Sequence, residues 1–210
     1  MADVKGPPRT SLREERAAVT RTRITTSARS LFRTRGYGAT TLVEVAQAAG
    51  VAVQTVYAVY RSKAGILRAL RESVLRQPEA EALVQQAMAE SDGGRALELF
   101  ARSIRSRWQS GADITAIHLD AASADGSVRS DLEAILTIRR AGLSRLAGTL
   151  EGRLASGLTA SRAAAILDAL TLPEVYLELV EVQHWTPDDY ERWLGVTLRQ
   201  QLMAEAGSSD

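Results

Sequence analysis

The chain contains no cysteine in 210 residues. That excludes a disulfide framework, thiolate metal sites and a cysteine nucleophile, and it suits a reducing compartment. Histidine is nearly as scarce, with His118 and His184 the only two. His118 and Asp120 form a lone His-x-Asp pair. A pair of this kind falls short of a metal-ligand set, so no metal and no cofactor are expected. Aromatic residues make up 5% of the chain. No apolar run approaches the ~20 residues that span a bilayer, and residues 1–30 lack the apolar core of a secretory signal. The expectation is a soluble, cytoplasmic protein with no membrane partner. Nothing pairs a nucleophile with a base, cradles a phosphate or sets two carboxylates across a cleft, so an enzyme is not expected.

What charge there is lies unevenly. The net charge is +1, yet residues 1–63 hold eleven Lys/Arg against four acids, and the rest of the chain holds fifteen against twenty-one. The first third is therefore +7 and the remainder −6. A basic segment suits a polyanionic partner, because phosphate neutralisation supplies most sequence-independent affinity for nucleic acid. The alternative is a solvated arginine-rich helix face.

The stretch that decides between them runs from Leu42 to Tyr60, LVEVAQAAGVAVQTVYAVY. Val45, Ala46 and Ala49 share one helical face. Gly50 can take the left-handed backbone of a helix-ending turn. Val51 is an apolar plug, and Val56 and Val59 are the expected inner face of a second short helix. Thr40-Thr41 offers an N-cap to the first helix. Small residues at 46 and 49 let two helices cross closely, as a helix-turn-helix requires. On the second helix Val53, Gln54, Tyr57 and Ala58 point outward, with Ala52 beside them and Thr55 at the edge. Gln54 alone among them can make a bidentate contact to adenine, while Val53, Ala58 and the Thr55 methyl suit thymine methyls.

The same residues resemble the N-terminal signature of the tetracycline-repressor (TetR) type of bacterial regulators. They are Gly36-Tyr37, Thr40-Thr41, Val45-Ala46-Gln47-Ala48-Ala49-Gly50-Val51, Tyr57-Ala58-Val59-Tyr60 and Ser62-Lys63, over roughly residues 12–75. Arg61 departs from the loop residues common there and adds a positive charge. The resemblance implies phosphate contacts from Thr41, Tyr57 and Lys63. It also implies a larger helical C-terminal domain that binds a small molecule and pairs two chains.

The rest of the chain reads as helices, so the expected class is all-α with nine or ten of them. An N-terminal helix-turn-helix domain would precede a larger ligand-binding and dimerisation domain. Expected bounds are an unstructured arm at 1–10, a DNA-binding domain at 11–61 and the helical domain at 62–205. Helices are predicted at 11–35, then from Ser62, at 79–90, 95–109, 112–123 and 128–154, from Thr159 or Ser161 to 183, and from Thr186-Pro187 to 204. Pro173 should kink or break the long one. Trp108, His118, Asp120 and Tyr176 are guesses for the pocket, chosen as polar handles among apolar neighbours. The last two helices resemble a pair that forms a four-helix bundle with its copy. The function this implies is a homodimeric repressor, released from a palindromic duplex operator by a small-molecule effector. The alternative is an effector-independent, architectural DNA-binding helical protein.

Overall fold

The computed structural model describes residues 12–204. The expected arm at 1–10 lies outside them. Among the described residues the fold is helical throughout, with one isolated bridge between Leu154 and Met203. The helices are α1 (Leu12–Arg35), α2 (Leu42–Ala49), α3 (Val53–Tyr60), α4 (Lys63–Leu75), α5 (Pro78–Ala89), α6 (Gly93–Ala124), α7 (Gly126–Thr149), α8 (Ala160–Leu170), α9 (Pro173–Leu177) and α10 (Pro187–Leu202).

The chain divides into two compact units after Leu70. In the first, Ile24, Ala28 and Phe32 of α1 meet Val45, Ala46 and Ala49 of α2, Val56 of α3, and Ile66 and Leu67 of α4, all buried. Helix α4 runs through the division and gives its first two turns to this core. A unit of this size buries a limited share of its surface, and two fully buried side chains are a large addition to it.

In the second unit α6 is the central element, with α5, α7, α9 and α10 packed around it. Tyr190, Leu194, Leu198 and Leu202 bring one face of α10 into the core at helical spacing. The start of α10 is built as its sequence suggests. Thr186 is the N-cap, its hydroxyl accepts from Asp189 N–H at 3.1 Å, and Pro187 occupies the first turn.

Three helix assignments change in the structure. The segments expected at 95–109 and 112–123 form one helix, bent at Gly111 (φ −158°, ψ 19°). A Cβ on Gly111 would lie 2.3 Å from Val74 Cγ2, so glycine here admits the end of α4 rather than ending α6. The helix expected to reach 154 stops at Thr149. The helix expected to reach 183 ends at Leu170; Leu172 is extended (φ −65°, ψ 144°), and Pro173 starts α9. Proline disfavours the α conformation for the residue before it and fits a first helical turn. Helix α9 then passes into a π-helical turn, Glu178–Val182, closed by Gln183 N–H donating to Glu178 O at 2.9 Å.

Candidate nucleic-acid interface and interior cavity

The turn between α2 and α3 is built by Gly50 (φ 60°, ψ 43°). Its N–H donates to Gln47 O and the Val51 N–H to Ala46 O, both at 3.0 Å. That paired bonding satisfies the last carbonyls of α2 and reverses the chain within two residues. Arg23 of α1 donates to Gly50 O at 3.3 Å, tying the turn to the rest of the unit. Thr41 caps α2: its hydroxyl accepts from Glu44 N–H at 3.2 Å, and Glu44 Oε2 accepts from Thr41 N–H at 2.8 Å. The bond from the Thr41 N–H foremost, and a second donated by the Thr41 hydroxyl to the same oxygen, hold the Glu44 carboxyl below its ordinary range.

Helix α3 presents Gln54, Tyr57 and Ala58 to solvent, while Val53 and Thr55 are half-buried at its sides. Tyr57 is 52% exposed. No side chain caps α3, whose N-cap is Ala52, so its first turn keeps open N–H groups and a positive dipole end. Val59, expected on the inner face, is 41% exposed. Tyr60, four residues after the buried Val56, takes the inward place instead, and its hydroxyl donates to Arg21 O at 3.4 Å. In a helix of two turns the i+4 neighbour holds the contact with α1 and the i+3 neighbour turns out.

Lys63 is held on two sides. Its ammonium donates to Tyr37 O at 2.7 Å and Gly38 O at 3.3 Å, and it lies 4.5 Å from the Tyr37 ring centroid. Lysine has three donors, so one remains for an outside acceptor. The sequence did not suggest this anchoring role. The exposed arginines of the unit include Arg13, Arg16, Arg21, Arg23, Arg33, Arg61 and Arg68, with Arg35 ion-paired to Glu44 at 3.0 Å.

The second unit contains a cavity of about 150 Å³ between α4, α6, α7 and the start of α9. Its wall is apolar, carried by Val74, Ile114, Leu119, Ile135 and Leu136, with Arg71, Arg107 and Arg139 among them. The bend at Gly111 separates Arg107 and Trp108 from Ile114 and His118, so both turns of α6 reach the wall. Of the four residues expected around a ligand, Trp108 and His118 line this space. Trp108 Nε1 donates to Thr171 O at 3.1 Å. Asp120 is exposed, and Tyr176 lies in the core with its ring edge-on to Tyr190, 4.9 Å between centroids. Neither lines the cavity. The arginines were missed because an arginine in an amphipathic pattern reads as surface.

Burial, with Arg71 close by, lowers His118 to about 4, and Asp131 opposes the shift only weakly. His118 is thus neutral when folded but titrates near 6.5 when unfolded. Between those values the unfolded chain binds the extra proton, so stability falls as pH falls. The expected cost is on the order of 3 kcal/mol between pH 7 and 4, because each tenfold loss of proton affinity on folding is worth about 1.4 kcal/mol. Urea titrations across that range should show a shallower pH slope for His118→Gln than for the parent. Parallel slopes would remove this assignment.

Residues 24–70 match the family model described as "Bacterial regulatory proteins, tetR family". No curated protein gives a match. Solved structures match over nearly the whole chain. NalD, the secondary repressor of the MexAB-OprM multidrug efflux pump in Pseudomonas aeruginosa, is 24% identical with a TM-score of 0.71, covering 91% of this chain and 100% of that one. The fatty acid degradation regulator FadR from Bacillus halodurans is 17% identical (TM-score 0.68, 91% and 96% covered). PfmR of Thermus thermophilus, a TetR family transcriptional regulator, is 19% identical (TM-score 0.65, 95% and 100% covered). At these identities the likeness is one of fold.

Proposed function

We propose that this chain, whose residues 24–70 match the model of the tetR family of bacterial regulatory proteins, is a homodimeric transcriptional repressor released from its operator by a small molecule. The observation that carries the DNA-binding reading is the outward row of α3. Gln54, Tyr57 and Ala58 are exposed on a helix that Arg23, Tyr60 and the Gly50 turn hold in place. Gln54 reads an adenine edge. Tyr57, Thr41 and the remaining donor of Lys63 take phosphates, which set register without reading sequence. The half-buried Val53 and Thr55 serve the reader from its flanks, with Ala58 against thymine methyls.

Dimerisation through the last two helices has support on their outer surface. Val196 is exposed on α10 and Val182 on the π-helical turn before it, and the half-buried Trp185 and Trp193 meet edge-on at 6.1 Å. Exposed apolar residues of this kind suit the isologous interface of a two-fold pair. Two α3 helices would then enter successive major grooves about 34 Å apart. The cavity serves as the effector site: a ligand that prefers a chain pair of another spacing withdraws the dimer from DNA by differential binding. No single described helix is long and apolar enough to cross a membrane.

The test is a binding-site selection on random duplex DNA at stated salt. A palindrome with half-sites about one turn apart is the expected product. Gln54→Ala should relax one position per half-site, losing about 1–3 kcal/mol of discrimination there. Sequence-blind binding that depends only on salt would replace this reading with an architectural one.

A further inference from the structure

Two arginines of the cavity carry a buried nitrogen with nothing to donate to. The Nε atoms of Arg71 on α4 and Arg107 on α6 are closed off from solvent and have no acceptor among the described residues. Both residues line the cavity. Arg139, the third lining arginine, is the contrast. Its Nε donates to the Asp168 carboxylate at 2.8 Å, and its Nη2 donates to Thr171 O at 3.0 Å and to Thr171 Oγ1 at 2.8 Å. Arg139 is accounted for by the fold it ties together. The Nε atoms of Arg71 and Arg107 are not, and a buried donor left without an acceptor is costly.

The charges around them do not restore the balance. Burial foremost, and Arg139 next, weaken the hold of Arg107 on its proton, while Glu81 of α5 opposes this from a distance. Glu174 is the one acid lining the cavity, and it is exposed. His118 is neutral at pH 7, held at about 4. The remaining wall is mainly aliphatic, with Trp108 and the hydroxyl-bearing Thr115 also on it. A largely apolar chamber lined by three guanidinium groups and a single, exposed carboxylate is chemically complementary to an apolar body bearing a single negative group. Guanidinium and carboxylate match in shape and charge, and their hydrogen bonds are about twice as strong as neutral ones. The size is also bounded: about 150 Å³ is the scale of void that accepts benzene.

We propose that the effector is a small apolar monoanion, a carboxylate on an aryl or short alkyl body, with Arg107 and Arg71 holding the carboxylate and the body filling the space between α6 and α7. This rests on reading the cavity as the effector site. Neutral molecules of the same shape would leave both donors unmet and bind less well.

Calorimetric titration of the full chain with phenylacetate and with phenylacetamide separates charge from shape. Phenylacetate is expected to bind, with the amide at least about tenfold weaker. Arg107→Met and Arg71→Met should each weaken phenylacetate about tenfold or more, while leaving the ligand-free urea midpoint unchanged or higher, since a half-buried cation with an unmet Nε donor has gone. Equal binding of acid and amide would overturn the proposal. So would variants that bind the acid as the parent does, or a parent that binds none of phenylacetate, benzoate and hexanoate. Operator affinity measured in the same samples tests the underlying reading apart. A carboxylate that binds through Arg107 without lowering operator affinity leaves the charge assignment standing and removes the effector role.

Discussion

Replacing Gly65 with alanine is expected to destabilise the first unit by about 3 kcal/mol and to abolish operator binding, the reverse of what helix propensity forecasts. Gly65 is the third residue of α4. An alanine within a helix normally gains about 1 kcal/mol over glycine. Here an ideal Cβ would lie 2.0 Å from Tyr60 O and 3.1 Å from its carbonyl carbon. Those are backbone atoms and cannot swing aside. The closeness is a product of the turn before it. Arg61 sits at φ 63°, ψ −38°, a conformation that costs a non-glycine residue free energy. Ser62 N–H donates back to Tyr60 O at 2.7 Å, and the Ser62 hydroxyl accepts from Gly65 N–H at 3.1 Å. Together these fold the start of α4 against the last residue of α3. A methyl at 65 has to displace α3, and α3 carries Gln54 and Tyr57. Overpacking of this sort costs about 1–3 kcal/mol, and more when backbone must move. Urea denaturation followed by circular dichroism, with fluorescence anisotropy on an operator duplex, reads both effects. A Gly65→Ala chain as stable as the parent would mean that the α3–α4 turn is looser than described.

The second large effect is expected at Arg139, where alanine should cost about 3 kcal/mol. The side chain is 16% exposed and joins α7 to the end of α8. Its guanidinium bonds the Asp168 carboxylate, the Asp168 carbonyl at 3.3 Å and both oxygens of Thr171. Thr171 O also accepts from Trp108 of α6. One residue therefore gathers three helices at a helix C-terminus, where carbonyls otherwise lack donors. Removing it leaves Asp168 facing only Arg140, 3.7 Å away and 67% exposed. Breaking a largely buried pair costs about 3–5 kcal/mol, and the partial exposure of Asp168 argues for the lower end. Arg139→Lys should recover about half, because an ammonium cannot span four acceptors with a planar fork. Arg140→Ala should stay within about 0.5 kcal/mol, as exposed ion pairs do. If Arg139→Ala and Arg140→Ala lower the urea midpoint equally, the helix-gathering role is wrong.

Sequence and structure inform different parts of the molecule. The α2–α3 pair was legible because each determinant is local: a threonine N-cap at 40–41, a glycine at the reversal, apolar residues at helical spacing. Local rules act over about four residues, and so short a span is visible in a sequence. Val59 was misplaced because its choice of face depends on where α1 lies, and Tyr60 won the inward place through a contact 39 residues away. Gly111 was legible as a disruption but not as a bend, since its purpose is to admit Val74.

The amino-acid order alone determined that the chain is all-helical, that its first third is basic, and that a helix-turn-helix sits at residues 42–60 with Gln54 facing out. Those properties follow from periodicity, capping chemistry and composition, none of which needs a distant neighbour. Only the tertiary structure decided which arginines are inside. Arg139 finds acceptors 29 and 32 residues away, while Arg71 and Arg107 reach the cavity with a buried nitrogen each unmet. In sequence the three are alike, because burial and partnership are properties of the packed helices and not of the residue.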